Sequence, residues 1–277
     1  VLIVGGVAGG ASCAARLRRL DEDAEIIMFE RGEFISFANC GLPYHISGEI
    51  EDRDELILQT KESFNSRFDV DVRLRNEVIE IDRDNKQVNV KDLVTDDEYT
   101  ESYDTLVLSA GSSPLKPPIP GIDSDKINVL WTIPDMDRII TALKEDAVKK
   151  AVVVGGGFIG IEMAENLTHA GVKVTLVEML DQVMAPLDWD MAQIVHKELV
   201  KQGVDLVLGD GVKSFEETSK GMTVHTNSGR ALDVDTVILS IGVRPNSKLA
   251  IDAGLNVNKR GGVEIDDSLK TSDDNIY

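Results

Sequence analysis

The chain opens with an alternation of short apolar runs and segments of helical composition. Val1–Val4 is an apolar run typical of a buried strand, and a glycine-rich turn at 5–10 follows it. Ala11–Leu20 then has helical composition, and Ala24–Phe29 is a second apolar strand that ends at Glu30. Strand, turn, helix and strand in this order predict a βαβ unit within a parallel sheet.

The same pattern returns about 150 residues later. Ala151–Val154 is an apolar strand, residues 155–160 form a glycine-rich turn, and Ile161–Ala170 is an amphipathic helix. Val172–Val177 is the next strand and is closed by Glu178. We interpret this repeat as an internal duplication of one nucleotide-binding design, which suggests two different nucleotides.

The segment between the two units is rich in β-forming residues over 70–108 and leaves its last strand through Ser109-Ala110-Gly111. Four prolines lie between positions 114 and 120, and neither a helix nor a central strand accommodates them. We therefore place a domain crossover there. A similar strand exit at 238–246 contains Gly242 and a proline, and it predicts a second crossover back to the first domain.

The pattern thus predicts an α/β fold with two Rossmann-like, nucleotide-binding three-layer domains, the second inserted in the first. Residues 1–115 form the first part of one domain, residues 116–243 form the inserted domain, and residues 244–277 return to the first. A helix over 190–202 and short strands around Val207, Val224 and Val237 belong to the inserted domain.

The two glycine-rich turns differ in how completely they match the dinucleotide fingerprint. The turn at 155–160 matches G-x-G-x-x-G in full, whereas the turn at 5–10 carries Val7 at the middle position. Glu30 and Glu178 stand where a carboxylate accepts the hydroxyls of an adenosine ribose. The alternative for Glu30 is a solvated strand end. Because Glu178 repels a 2′-phosphate and no arginine follows it, NADH is favoured over NADPH.

Composition narrows the partners and the compartment. The 277 residues carry 29 basic and 49 acidic side chains, a formal net charge of -20. This charge argues against nucleic acid or an anionic membrane as a partner. No apolar run approaches the ~20 residues of a membrane span. Two cysteines far apart offer no disulfide framework, so we expect a reducing, cytoplasmic location.

The stretch Ser36–Tyr44 contains the candidate catalytic thiol, Cys40. The partner position of a two-cysteine redox pair, five residues on, holds His45, so Cys40 would act alone as a thiolate, a sulfenate or a mixed disulfide. A glycine and a proline after it predict entry into a helix, whose N-terminus stabilises a thiolate. The alternative is a small buried hydrophobe, which is how we interpret Cys13.

With these elements in place, the chain resembles the flavin-dependent pyridine nucleotide–disulfide oxidoreductases. Within them it is most similar to the single-cysteine branch of coenzyme A-disulfide reductases and NADH-dependent per- or polysulfide reductases. The resemblance covers essentially the whole chain and rests on the 5–10 turn with Glu30, Ser36–Tyr44, Ser109–Gly111, the 155–160 turn with Glu178, and Gly242–Pro245.

The resemblance implies a set of site residues. FAD would be bound in the first unit by Gly5, Val7, Ala8, Gly9, Gly10, Glu30, Arg31, Val78, Ala110 and Gly111. NAD(P)H would be bound in the second by Gly155, Gly157, Phe158, Ile159, Gly160, Glu162, Glu178 and Gly242. Coenzyme A, as its disulfide or persulfide, would be held by Ser12, Arg16, Arg19, Ser36 and Asn39. Arg16 and Arg19 share a helix face by spacing alone, which independently suits a phosphate, whereas Arg18 on the same helix is expected to be solvated. No metal site is expected.

The resemblance also implies a reaction: hydride passes from NADH to FAD, and the reduced flavin delivers electrons to a sulfur on Cys40. Relatives continue with an Ala-x-Gly-Asp motif, a dimerisation domain and sometimes a rhodanese domain, so we expect a homodimer in the full-length protein. Two alternatives stay open. One is an NADH oxidase or peroxidase that cycles a Cys40 sulfenate, and the other is a flavin electron-transfer or redox-sensing protein without a catalytic thiol.

Overall fold

A computed structural model describes residues 1–145, 148–219 and 221–277. The chain forms two compact units. Unit 1 consists of Val1–Ala38, Asp54–Ser113 and Arg244–Tyr277, and unit 2 of Asn39–Arg53 and Pro114–Val243. The main passages between units therefore fall at 113/114 and 243/244, next to the predicted crossovers. A further passage, which the sequence did not suggest, places residues 39–53 in unit 2.

The secondary structure is mixed throughout. The helices are α1 (Ala8–Leu20), α2 (Leu42–Ser47), α3 (Lys61–Phe68), α4 (Ile133–Glu145), α5 (Phe158–His169), α6 (Trp189–Lys201) and α7 (Lys248–Asp252). Short 3-10 turns lie at Asn39–Gly41 and Arg53–Leu56. The strands are β1 (Leu2–Val4), β2 (Ile27–Glu30), β3 (Asp71–Leu74), β4 (Asn76–Asp82), β5 (Gln87–Asp92), β6 (Glu98–Ser102), β7 (Leu106–Leu108), β8 (Ser112–Pro114), β9 (Ile127–Asn128), β10 (Lys150–Val154), β11 (Lys173–Val177), β12 (Asp205–Val207), β13 (Val212–Thr218), β14 (Gly221–Thr226), β15 (Ala231–Val234), β16 (Thr236–Leu239) and β17 (Val243–Pro245).

Unit 1 is built on a parallel sheet with strand order β3-β2-β1-β7. Successive side chains of a strand point to opposite faces, so the sheet serves two cores. Ile3 and Met28 pack on one side with Ala14 of α1. Leu2 and Phe29 pack on the other side with the antiparallel sheet β4-β5-β6. Helices, parallel sheet and antiparallel sheet give three layers.

The last residues of the chain extend the unit 1 sheet. Ile276 bridges Leu106 in a parallel pairing. The Tyr277 N–H donates to the Leu106 carbonyl at 2.9 Å, and the Leu108 N–H donates to the Tyr277 carbonyl at 2.7 Å. The strand start predicted from the sequence at this end is therefore a hydrogen-bonded extension beside β7.

Unit 2 repeats the design with a five-stranded parallel sheet of order β12-β11-β10-β16-β9. One core cluster contains Val152, Val177 and Val237 of this sheet and includes Phe215 and Val224 of the antiparallel sheet β13-β14-β15. Helix α2 packs against α5 and α4. Both units match the predicted fold class, mixed α/β with Rossmann-like parallel sheets.

The glycine-rich helices begin earlier than their apolar pattern suggests. The sequence predicts starts at Ala11 and Ile161, whereas α1 begins at Ala8 and α5 at Phe158. The last glycine of each turn is already helical, and its lack of a side chain lets the first helical turn lie against the strand. The expectation that Arg18 is solvated was wrong. Its side chain is 14% exposed and donates to several backbone carbonyls, among them those of Phe68 and Asp69.

Candidate functional site

The turn after β1 in unit 1 is closely packed. Gly5 has φ +99°, and a Cβ there would lie 2.1 Å from the Ser109 carbonyl oxygen. A Cβ on Gly10 would lie 1.8 Å from the Gly5 carbonyl oxygen, so Gly10 serves the packing of α1 on the turn. Val7, the departure from the fingerprint, has φ -90° and accommodates its side chain. Ala8 and Gly9 are exposed at the start of α1.

Glu30 at the end of β2 binds this turn through its carboxylate. The Gly6 N–H donates to Oε2 at 2.8 Å, and the Gly32 N–H donates to Oε1 at 2.7 Å. Because a carboxylate offers about four acceptor positions, lone pairs remain for the hydroxyls of a ribose. Glu30 is thus part of the turn, and it is not a solvated strand end.

Unit 2 contains the same turn in nearly the same geometry. Gly155 has φ +104°, and a Cβ there would lie 2.5 Å from the Ser240 carbonyl oxygen. A Cβ on Gly160 would lie 1.9 Å from the Gly155 carbonyl oxygen. Gly157, the middle position, has no atom within 4 Å of where a Cβ would stand. The space over Gly157 is therefore open to the approach of a ligand.

Glu178 at the end of β11 repeats the carboxylate arrangement of Glu30. Its Oε2 accepts the Gly156 N–H at 2.6 Å, and its Oε1 accepts the Leu180 N–H at 2.8 Å. The part of the chain that follows, Met179–Gln182, contains no basic side chain. A negative charge is therefore fixed beside the turn with no cation from this segment to balance it.

Both turns fit a dinucleotide. Each presents the N–H groups of a helix N-terminus, which have no intrahelical partners and favour an anion such as pyrophosphate. Each also has a carboxylate oriented by backbone N–H groups, with acceptor positions left for a ribose. The two closely packed glycines in each turn let the helix start next to the strand end, as this mode of binding requires.

The other predicted cofactor residues divide between the units. In unit 1, Arg31 is exposed and pairs with Glu77 at 3.6 Å, while Val78 is buried in the core and offers a ligand only its backbone. In unit 2, Phe158 is 66% exposed at the start of α5. The remaining ones lie at strand exits or in the first turn of α5: Ala110, Gly111, Ile159 and Gly242.

Cys40 is exposed in the 3-10 turn that leads into α2. Pro43 lies in the first turn of that helix, as expected from the sequence. The segment carrying Cys40 is attached to unit 2: α2 packs on α5, and Arg53 donates to both oxygens of Asp137 at 2.9 and 2.7 Å. The exposed thiol is therefore held on a short turn whose following residues are anchored.

The ends of this segment are pinned in unit 1. Phe37 and Ile57 form an antiparallel bridge. The Ala38 N–H donates to the Leu56 carbonyl at 2.8 Å, and the Leu58 N–H donates to the Ser36 carbonyl at 3.0 Å. Residues 39–53 thus leave and rejoin unit 1 through neighbouring backbone positions.

The contact of α2 with α5 places Tyr44 among acidic side chains. Burial raises the pKa of Tyr44, and the charges of Glu165 and Glu162 raise it further. Burial also raises the pKa of Glu162, with a further contribution from Glu165. Tyr44 and Glu162, whose raised pKa values favour the protonated forms, thus lie in the same unit as Cys40. The sequence singled out Glu162, but not Tyr44, because only the packing of two helices distant in sequence brings them together.

The predicted substrate residues also divide between the units. Ser12, Arg16 and Arg19 are all exposed on α1 in unit 1, with spacing that keeps them on one helix face. The Arg19 guanidinium lies 5.8 Å from the centroid of the Phe68 ring. Ser36 is half-buried in unit 1 with φ +44°, and Asn39 is exposed in unit 2.

Two features of other protein classes are missing from the described residues (1–145, 148–219 and 221–277). Over these ranges no helix has the length and apolarity to cross a bilayer. Within the same ranges, histidine, cysteine and carboxylate side chains nowhere gather in a group of three or more suited to a metal ion.

The chain is similar to known proteins over its whole length. The profile of the family described as "Pyridine nucleotide-disulphide oxidoreductase" matches residues 1–277. Coenzyme A disulfide reductase of Staphylococcus aureus is 35% identical over 277 residues, all of this chain and 62% of that protein. The chain thus spans less than two thirds of the length of this curated relative.

Several solved structures also match the whole chain. Reduced CoADR-RHD of Bacillus anthracis is 48% identical with a TM-score of 0.97, over all of this chain and 49% of that one. An NAD-dependent persulfide reductase from A. fulgidus is 35% identical with a TM-score of 0.95, over all of this chain and 51% of that one. A water-forming NADH oxidase from Lactobacillus brevis is 33% identical with a TM-score of 0.94, over all of this chain and 60% of that one.

Proposed function

The chain belongs to the pyridine nucleotide-disulphide oxidoreductase family, and on this basis we propose that it passes electrons from NADH through FAD to a disulfide, persulfide or polysulfide at Cys40. The observation that carries the proposal is the exposed thiol of Cys40, held on a turn before α2 in the stretch Ser36–Tyr44. A cysteine with a purely structural role is usually buried. Cys13, which is half-buried, is the comparison within this chain.

The nucleotide sites follow from the two turns. We assign FAD to the turn of unit 1 with Glu30, and NADH to the turn of unit 2 with Glu178. When bound, FAD supplies the chemistry that the side chains lack: it accepts a hydride and returns an electron pair to sulfur. The backbone N–H groups of the turns bind the pyrophosphates, and the carboxylates orient the adenosine riboses.

Cys40 carries out the sulfur step. Its thiolate attacks one sulfur of the substrate S–S bond, a Cys40–S bond forms, and the other half leaves as a thiolate that takes up a proton. The product is a mixed disulfide on Cys40 and one free thiol. Two electrons and one proton then return Cys40 to its thiolate and release the retained half as a thiol.

Coenzyme A is the proposed carrier of the sulfur. Arg16 and Arg19 present two guanidinium groups on one exposed face of α1, in a protein whose net charge is -20. Charge-assisted hydrogen bonds from arginine suit phosphate groups, and Ser12, Ser36 and Asn39 complete the proposed set. Binding through remote phosphates would place the reacting sulfurs by orientation. A homodimeric, cytoplasmic protein is part of the same proposal.

The test is the pair Cys40→Ser and Cys13→Ser in the flavin-loaded protein. We expect Cys40→Ser to keep flavin content and bleaching of the flavin by NADH, while turnover of coenzyme A disulfide, persulfide and polysulfide is abolished. Cys13→Ser should be near wild type. Arg19→Gln should raise KM for coenzyme A substrates and leave that for inorganic polysulfide unchanged. Near-normal sulfur turnover by Cys40→Ser would make the thiol structural.

The similarity to the Lactobacillus brevis NADH oxidase supports one second candidate function, the reduction of O2 or peroxide through a Cys40 sulfenate. Identity is 48% to the Bacillus anthracis CoADR-RHD and 33% to the oxidase, which favours the sulfur substrates. The same assays with peroxide and with air-saturated buffer decide between the two functions. An oxidase or peroxidase would turn over O2 or peroxide faster than the sulfur substrates.

A further inference from the structure

His196 is a buried histidine on α6, 8% exposed, with a specific hydrogen bond. Its Nε2 lies 3.0 Å from the Val183 backbone nitrogen. A backbone N–H can only donate, so Nε2 must be the acceptor, and the ring is neutral with its proton on Nδ1. Burial lowers the pKa of His196, which is consistent with a neutral ring. The indole of Trp189 lies edge-on to it, with centroids 6.3 Å apart.

Val183 in turn supports the turn of unit 2. Its Cγ1 would lie only 2.8 Å from a Cβ on Gly156, so it packs directly on that glycine. The N–H of the next residue, Met184, donates to the Gly156 carbonyl at 2.7 Å. The Gly156 N–H donates to Glu178 Oε2 at 2.6 Å. His196, Val183, Gly156 and Glu178 therefore form one continuous set of contacts.

The segment that His196 contacts has no helix or strand between the end of β11 at Val177 and the start of α6 at Trp189. Its shape depends on a few hydrogen bonds: Leu187 N–H to the Met184 carbonyl at 2.8 Å, the Gln182 side-chain amide to the Leu187 carbonyl at 2.8 Å, and the His196 bond. Met184 has φ +51°, a left-handed conformation that its surroundings must maintain. Loss of the His196 acceptor would leave a buried N–H unpaired at the point where the segment meets the turn.

We propose that His196 is a positioning residue for NADH, which holds the Val183–Met184 backbone against Gly156 and thereby fixes the Gly156 peptide and the Glu178 carboxylate for the dinucleotide. The inference rests on the proposed function in one respect, that the turn at 155–160 binds NADH. His196 acts on the turn through the Val183 backbone. Its role is to supply a hydrogen-bond acceptor at one point of α6.

The experiment compares three replacements of His196 in the flavin-loaded protein. Gln places an amide oxygen near the position of Nε2 and can still accept the Val183 N–H. Asn is chemically alike but too short, and Met fills the volume without an effective acceptor. His225→Gln, at a partly exposed histidine of β14, is the matched control. The measurements are the Kd of NADH by titration, KM and kcat with saturating sulfur substrate, and hydrogen exchange at residues 182–184 without nucleotide.

We expect His196→Met and His196→Asn to raise Kd and KM for NADH about tenfold and to speed exchange at 182–184, as loss of one buried hydrogen bond implies. The value of kcat should stay within about twofold, and His196→Gln and His225→Gln should resemble wild type. If His196→Met fails to fold, the Asn and Gln pair decides. Unchanged Kd in the Asn variant, or equal losses in Asn and Gln, overturns the inference. A folded wild type that binds no NADH would instead refute the proposed function, and the inference with it.

Discussion

At the residue scale, the two cysteines differ in environment. Cys40 is exposed, whereas Cys13 is half-buried in α1 and burial raises its pKa. Since the thiolate is the nucleophile, we expect Cys40 to alkylate faster than Cys13 by on the order of tenfold or more at neutral pH. Iodoacetamide labelling followed by peptide mass mapping measures both rates. Cys40→Ser should remove the fast phase, and labelling of Cys13 at the same rate would contradict this assignment.

The position of the Glu178 carboxylate leads to a prediction about nucleotide preference. Its carboxylate is held by the Gly156 and Leu180 N–H groups, so it cannot easily turn away from a 2′-phosphate. This like-charge contact should cost on the order of 1–3 kcal/mol, or roughly 5- to 150-fold in kcat/KM, for NADPH relative to NADH. Glu178→Gln keeps most of the shape and should narrow the ratio. A kcat/KM for NADPH equal to that for NADH would show that Glu178 does not face the ribose.

The positions of candidate site residues were predictable from the sequence where spacing alone determines them. The glycines of both turns and the acids at both strand ends stand at fixed intervals, so the placement of Glu30 and Glu178 beside the turns was predictable without a structure. Residues whose role depends on distant packing were not. Tyr44 gains its surroundings from α5, and Arg18 gains two of its acceptors from the end of α3, about fifty residues away.

At the scale of the element, Gly160 and Gly157 have different roles in one turn. A Cβ on Gly160 would lie 1.9 Å from the Gly155 carbonyl oxygen, so Gly160→Ala should push α5 from β10 and destabilise the protein by about 1–3 kcal/mol. Gly157 has open space and φ -78°, so Gly157→Ala should keep the melting temperature. It should nevertheless weaken NADH binding if the pyrophosphate approaches there.

Thermal melts and NADH titrations of the two variants separate packing from binding. The same result for both, in either measurement, would mean that the two glycines share one role.

The repeated βαβ units were predictable because an apolar strand, glycines and a helix follow each other locally. The elements missed from the sequence lack such a signal. Helix α4 is not preceded by a run of glycines, and β13 and β15 are edge strands whose exposed faces interrupt the apolar pattern. The placement of residues 39–53 in unit 2 was also missed, since it depends on the contacts of α2 with helices more than eighty residues away.

At the scale of the molecule, the formal net charge of -20 opposes compaction. Raising NaCl from about 10 mM to about 150 mM shortens the Debye length from about 30 Å to about 8 Å and should raise the melting temperature. KCl should act equally, because screening depends on ionic strength. A melting temperature that falls with either salt would show that attractive ion pairs outweigh the net repulsion.

His196 links stability to pH. Burial lowers its pKa in the folded protein below the 6.5 of a free histidine, so the unfolded chain binds more protons between the two values. The contribution is therefore fully present above pH 6.5 and is lost as pH falls toward the folded pKa. Urea unfolding of wild type and His196→Gln between pH 5 and 8 should show a steeper acid loss in the wild type. Parallel curves would contradict a buried neutral ring.

The pinned ends of residues 39–53 have an evolutionary consequence. The chain leaves and rejoins unit 1 across the Phe37–Ile57 bridge, so what lies between is an insert with a closed base. Because the entropy of closing such a loop grows only slowly with length, the insert can be lengthened, shortened or replaced at little cost to the parallel sheet of unit 1. A lineage could thus exchange the nucleophile, or lose it, by swapping a cassette of fifteen residues while both nucleotide turns stay intact.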